Sequence, residues 1–186
     1  MQDSLVIPKY RFAPASSLDK YIFGSERPGY GSASVSALQI DEWLSFMHSQ
    51  DIKRVCCLLD EEQLGYYKKP LLLQTYKEKY GSANVLHALI PDFQLCEVDM
   101  LVNTIIPFLE DSKLQSKKTV VHCAGGKGRT GHVLAAWLVY SELKSPEEAI
   151  SIVSSLYREP LEAIERGNAS GEDLDRLLLA AVSKRS

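Results

Sequence analysis

Apolar residues fall along the chain in two kinds of block. Short continuous runs, Arg54–Leu59 (RVCCLL), Asn84–Ile90 and Thr119–His122, read as strands buried on both faces, and Tyr21–Phe23 as a shorter one. Between them lie stretches with helical spacing. Leu38, Ile40, Trp43, Leu44 and Met47 form one face of a helix that Ser34 or Ser36 can cap and that runs to about Gln50. Leu64–Tyr80 reads as helical with an irregularity at Pro70, and Glu97–Ser112 as helical with its weak point at Pro107. A helix over about Thr130–Leu143 follows the last strand. Ser145-Pro146-Glu147-Glu148 starts another, running to about Tyr157, with a serine cap, proline at the first position and acids in the first turn. A last helix begins near Ser170 and ends on Lys184 and Arg185, which suit its dipole. Strands alternating with helices predict an α/β fold: a central, mostly parallel sheet flanked by helices on both faces.

The 186 residues are expected to form a single domain, with residues 1–19 as an extended arm packed on it. Apolar residues make up 45% and charged residues 24%, which excludes disorder. A net charge of −3 disfavours general nucleic-acid or membrane-surface binding. No apolar run is long enough to span a bilayer, and Met1–Tyr10 lacks the apolar core of a secretory signal. Cys56, Cys57, Cys96 and Cys123 include no C-x-x-C pair, so neither a disulfide scaffold nor structural zinc is expected. The reading is of reduced thiols in a cytoplasmic protein.

The chemistry concentrates in Val120-Val121-His122-Cys123-Ala124-Gly125-Gly126-Lys127-Gly128-Arg129-Thr130-Gly131. A strand delivers a cysteine, five residues follow, three of them glycine, and an arginine opens a helix. Glycines let successive backbone N–H groups converge on one point, and the helix N-terminus adds its dipole. Arg129 can bond two oxygens of a tetrahedral anion in its fork. The same field should ionise Cys123 well below its free value of about 8.5, making it a nucleophile on the floor of a phosphate-shaped site. A Walker A loop is excluded: Val121 occupies its first glycine position and Gly128 follows Lys127. A cysteine-protease reading leaves the arginine and glycines without a role.

From Ser112 to Ser141 there is no acid, while Lys113, Lys117, Lys118, Lys127 and Arg129 lie inside that window. A leaving alkoxide needs a proton, so a general acid is expected. Asp92, directly after a predicted strand and Pro91, is the first candidate, because parallel strands place their C-terminal ends at the edge where Cys123 emerges. Asp60, Glu61 and Glu62, which follow the RVCCLL strand, are its rivals.

HCAGGKGRTG resembles the Cys-x5-Arg signature of the cysteine-dependent protein tyrosine phosphatase superfamily. The short chain, and an Ile90-Pro91-Asp92-Phe93 acid loop 31 residues before the cysteine, resemble the dual-specificity branch. The resemblance implies Cys123 as nucleophile, Arg129 as phosphate clamp and Asp92 as acid, then base. It implies that Thr130 helps the cysteine leave and that the N–H groups of Ala124, Gly125, Gly126, Lys127, Gly128 and Arg129 hold the phosphate. His122 would orient the loop, and no cofactor or metal is implied. Ile90 stands where larger tyrosine-specific members carry tryptophan. Asn168 or Glu172 is a candidate for positioning the hydrolytic water.

The expected function is a protein tyrosine or dual-specificity phosphatase acting on phosphorylated proteins or peptides. Lys127 raises phosphoinositides and inositol polyphosphates as the alternative substrates, which Ala124 at a second expected lysine position argues against. An inactive phosphate-binding module is the second alternative. Cys56 and Cys57, on a neighbouring strand, point to opposite faces, so at most one can serve redox control of Cys123; the plainer expectation is two packed core thiols.

Overall fold

A computed structural model describes residues 6–184. Five strands form one sheet in the order β1-β2-β5-β3-β4: β1 Ala13–Pro14, β2 Ile22–Glu26, β3 Ile52–Cys57, β4 Val85–His87 and β5 Lys118–Cys123. The β2–β5, β5–β3 and β3–β4 pairs are parallel, and β1 alone runs antiparallel, against β2. The predicted α/β class with a mostly parallel sheet is therefore what the chain adopts. Nothing in the sequence pattern of the arm singled out β1.

Alternation along the strands sorts the core into two layers. Val55, Cys57 and Val120 face α1 (Ala37–Ser49), through Ile40, Trp43 and Met47, and α3 (Leu72–Tyr80), through Leu72 and Tyr76. Cys56, Leu58 and Val121 face the other layer. That layer holds α5 (Ile106–Leu114), α6 (Gly128–Glu142), α7 (Pro146–Ser155) and α9 (Gly171–Ala180). Helix α6 is buried from Gly128 to Tyr140 and apolar from Val133 to Tyr140, as a helix in the middle of a layer must be, while its first turns bury Arg129, Thr130 and His132. Three serine caps form as full capping boxes: Ser36 with Gln39, Ser145 with Glu148 and Ser170 with Asp173.

The expected single helix over Leu64–Tyr80 is instead two helices, α2 (Glu61–Leu64), capped by Asp60, and α3, joined through a stretch containing a cis Lys69–Pro70 bond. Asp60, expected only as an acid candidate, is the N-cap that starts α2. The expected strand Asn84–Ile90 is regular only over Val85–His87, because Asn84 ends a 3-10 turn and Pro91 follows closely. Ile90 still donates its N–H to the Leu58 carbonyl, so the pairing direction continues past the strand. The helix expected over Glu97–Ser112 runs as α4 (Val98–Met100), a π turn (Leu101–Ile105) and α5, with Pro107 in the first turn of α5. The π turn lets the helix continue past a residue with no N–H to donate. The helix of Ser145 ends at Ser155 rather than near Tyr157, and α8 (Glu162–Glu165) was not expected. The last helix passes into a 3-10 turn at Ala181; Arg185 and residues 1–5 of the arm lie outside the described residues. Among those described, no helix is long and apolar enough to cross a membrane.

Candidate active site

The parallel strands end at one edge, and Cys123 emerges there at the end of the central strand, paired with Glu26 of β2. Beyond their regular portions, β3 and β4 continue as Leu58 and Ile90. Their carbonyls point to Arg129, whose Nη1 donates to Ile90 O at 3.0 Å and to Leu58 O at 3.4 Å. The arginine is 2% exposed, and these bonds fix its fork from behind. Its Nη2 meets Asp92 Oδ1 at 2.8 Å. The candidates for nucleophile, clamp and first acid thus share one pocket of about 120 Å³, lined also by Tyr30, Phe93, Ala124, Gly125, Lys127, Gly128 and Glu162.

The loop between β5 and α6 turns its carbonyls outward. Ala124 O accepts from Arg27 N at 3.0 Å, Lys127 O from Gly131 N at 2.7 Å, and Gly126 O from Arg158 Nη1 at 2.6 Å. A trans peptide holds C=O and the next N–H opposed, so the N–H groups of Gly125, Lys127 and Gly128 turn the other way. Gly126 has φ +65, and a Cβ there would sit 2.5 Å from the Ser25 carbonyl. A Cβ at Gly128 would overlap the Glu162 carboxylate.

Arg158 was not found from the sequence. It is a buried cation that, among the described residues, has no carboxylate partner in hydrogen-bond reach; its Nη2 donates to Gly24 O at 2.7 Å and Arg11 O at 2.8 Å. One guanidinium therefore ties the arm, β2 and the loop together. Burial lowers its pKa to about 10, and the nearby Cys123 acts in the opposite direction. Arg27, also buried, gathers the carbonyls of Pro28, Gly29 and Ser32 and the Tyr67 hydroxyl. That places half-exposed Tyr30 against Gly125. Lone arginines in loops carry no sequence signal for this; only the tertiary fold shows them dry.

Asp60 is occupied rather than free. Its Oδ1 caps α2 through Gln63 N at 2.9 Å, and its Oδ2 accepts Asp92 N at 3.2 Å. Glu61 and Glu62 are exposed on the first turn of α2, away from the pocket lining. Asn168 donates to the Phe93 carbonyl at 3.0 Å and so anchors the acid loop, whereas Glu172 is exposed in the first turn of α9 and lines no part of the pocket. Glu162 on α8 does line it. Burial raises its pKa, and the carboxylates of Glu159 and Asp92 add to the rise. Lys127 is paired with Glu159 at 2.8 Å. Thr130 Oγ1 is buried with no hydrogen-bond partner among the described residues.

His122 lies fully buried. A carbonyl can only accept, so Nδ1 carries the proton that goes to Cys123 O at 3.2 Å, and Nε2 accepts from the Tyr76 hydroxyl at 3.1 Å. Burial pushes its pKa down to about 3 and does the same for His132, whose Nε2 accepts from Cys96 N. Cys56 and Cys57 point into opposite layers, as alternation requires, and burial raises both thiols, Cys57 to about 12.

Set beside known proteins, the chain matches over residues 30–142 the family described as "Polymorphic toxin system, DSP-PTPase phosphatase". It belongs to that family, in the dual-specificity branch of the cysteine-dependent protein tyrosine phosphatase superfamily. Cyclin-dependent kinase inhibitor 3 of Sus scrofa is 30% identical over 142 residues, 75% of this chain and 66% of its own length. The chain thus spans just under two thirds of that relative. Among solved structures, a mutant form of Tk-PTP superposes with a TM-score of 0.63 at 27% identity, covering 90% of this chain and 93% of its own. PTPMT1, solved in complex with PI(5)P, shares the fold with a TM-score of 0.66 at 14% identity, covering 94% of this chain and 99% of its own.

The two histidines set an acid limit on stability. Their folded pKa of about 3 lies below the ordinary 6.5, so the stability they contribute is complete above pH 6.5 and declines as pH falls towards 3. Urea unfolding should show a plateau above pH 6.5 and a decline of up to about 1.4 kcal/mol per pH unit for each histidine below it. In His132→Gln the slope between those limits should fall by one proton's worth; an unchanged slope would contradict its burial as the neutral ring.

Proposed function

We propose that this chain acts as one phosphatase domain that hydrolyses phosphomonoesters through a cysteinyl-phosphate intermediate. Phosphotyrosine proteins or peptides are the first substrates, and phosphoserine or phosphothreonine are within reach. The observation that carries this reading is the convergence of Cys123, Arg129 and Asp92 on one small pocket. An idle binding module needs the cradle alone and would not bring an acid to it.

In the first step the Cys123 thiolate attacks phosphorus, an S–P bond forms and the P–O bond to the leaving group breaks. The leaving oxygen takes a proton from the Asp92 carboxyl. Arg129 and the N–H groups of Ala124 to Arg129 hold the phosphoryl oxygens. In the second step water attacks phosphorus, Asp92 takes its proton and the S–P bond breaks to release orthophosphate. Thr130, with an uncommitted buried hydroxyl, can donate to the departing sulfur. Neutral His122 fixes the Cys123 carbonyl and acts as orienter rather than base. A phosphate entering the pocket competes with Asp92 for Arg129, which frees the acid to turn to the leaving oxygen.

Two features support protein substrates over inositol polyphosphates. Lys127 is neutralised by Glu159, and Glu162 adds an acid to the pocket wall, so further phosphates on a ring meet negative charge. Tyr30 and Phe93 also line the pocket and offer aromatic surface to a phenyl ring. A cytoplasmic setting suits the chemistry, because a reducing compartment keeps the thiolate available.

Phosphopeptides, phosphoinositides and soluble inositol phosphates assayed side by side should show the highest kcat/KM on phosphotyrosine peptides. A large excess on inositol polyphosphates would overturn the substrate assignment. Cys123→Ser should lose turnover by about 10⁴-fold or more while still binding inorganic phosphate, since the cradle stays intact. Activity close to the parent's would remove Cys123 from its role. Asp92→Asn should slow alkyl phosphates about 10²–10⁴-fold and nitrophenyl phosphate far less, because a good leaving group needs no proton. Equal losses on both would move the acid elsewhere.

A further inference from the structure

One buried group beside the acid loop has no part in the steps above. Gln63, in α2, is 6% exposed. Its Nε2 donates to Asp92 Oδ2 at 2.9 Å. The other carboxylate oxygen, Oδ1, is taken by Arg129 Nη2 at 2.8 Å and by Phe93 N at 3.1 Å. Every one of these partners is a donor, which suits the ionised carboxylate of the second step. The first step needs the opposite state: a carboxylic acid, whose O–H must find an acceptor until the substrate arrives. The side chain is 36% exposed, but among the described residues its oxygens meet donors alone, so the protein itself offers that proton no acceptor in this arrangement.

Gln63 carries the missing acceptor. Its Oε1 is buried and has no hydrogen-bond partner among the described residues. An amide is neutral and presents a donor and an acceptor on one planar group. Half a turn about its last torsion exchanges the two without moving the backbone, and that terminal torsion is broad. The pivot is itself fixed: Asp60 accepts Gln63 N with one oxygen and Asp92 N with the other, so α2 and the acid loop are held in register.

We infer that Gln63 is a positioning residue serving both protonation states of Asp92, donating Nε2–H to the carboxylate and accepting the carboxyl proton on Oε1 after the amide turns. The inference rests on the reading of Asp92 as the acid. Protons balance across the cycle. The Asp92 proton passes to the leaving oxygen as the P–O bond breaks, the amide turns its N–H to the new carboxylate, and the water of the second step returns a proton to Asp92. The charged and titratable groups around Asp92 are Arg129 from α6, Asp60 at the head of α2, Glu162 from α8, and Lys127 and Cys123 of the loop that lines the same pocket. Arg166 lies one shell out, over the Phe93 ring. Gln63 is the uncharged member of this ring, able to follow the proton without adding to the field.

The test uses the full chain and two variants, with kcat/KM followed against pH on a phosphothreonine peptide and on nitrophenyl phosphate. Gln63→Met removes both amide ends at similar volume. It should lower turnover of the phosphothreonine peptide about tenfold or more and that of nitrophenyl phosphate by less than threefold, with thermal stability and inorganic-phosphate binding near the parent's. Gln63→Glu adds a negative charge beside Asp92, which favours the protonated acid; the alkaline limb on the peptide should move up by about one pH unit. If Asp92→Asn shows selective loss on the peptide while both Gln63 variants keep the parent's substrate ratio and pH profile, the inference is overturned and the acid assignment stands. A uniform loss on both substrates with lowered stability would reduce Gln63 to a structural role and overturn it too. If Asp92→Asn lowers both substrates equally, the acid assignment fails, and with it the need for Gln63.

Discussion

A loop can aim its N–H groups at one point only if its carbonyls face away and are satisfied inside a dry protein. That constraint governs the carboxyl edge of this sheet. The Ala124 carbonyl is met by the backbone of Arg27, the Lys127 carbonyl by the first turn of α6 and the Gly126 carbonyl by the Arg158 side chain. Arg158 is costly to bury, and it stays charged because three segments of chain each give it a carbonyl. The N-terminal arm is therefore part of the site: Arg11 lends a carbonyl to the same guanidinium that shapes the loop. Gly126 and Gly128 are required by what surrounds them, Ser25 and Glu162, as much as by turn geometry.

A second constraint concerns charge. Arg129 is gripped from behind by the carbonyls of Leu58 and Ile90, two residues that prolong neighbouring strands past the point where regular pairing stops. Its free edge is held by Asp92. Arg129 and Asp92 thus pair with each other, and on the proposed function an incoming dianion has a better claim on the arginine than one carboxylate does. On that proposal, substrate binding and the release of Asp92 are a single exchange of partners. Glu159 pairs with Lys127 and Glu162 adds a carboxylate to the pocket wall, so the mouth carries acids as well as bases.

The two buried histidines show how little a residue type says on its own. His122 sits next to Cys123, yet burial keeps it neutral, and its two nitrogens are spent on a carbonyl and a tyrosine hydroxyl. Its contribution is to hold one peptide in place.

By itself the sequence determined what depends on neighbours along the chain. The parallel α/β alternation, the cap at Ser145, the choice of Ser34 or Ser36 as an earlier cap, the helix start near Ser170 and the cysteine–glycine–arginine stretch all rest on periodicity or on groups a few residues apart. It misjudged the segments where a local stop is weak: the break of α2 from α3, and the π turn that carries a helix past Pro107. What only the tertiary structure decided was partnership over distance. It made Asp60 a cap and bracket while Asp92 met Arg129, brought Glu162 and Tyr30 to the pocket, and set Arg27 and Arg158 beneath the loop. A charged or amide side chain reads the same in any exposed loop; its meaning appears once packing removes water and leaves it a short choice of partners.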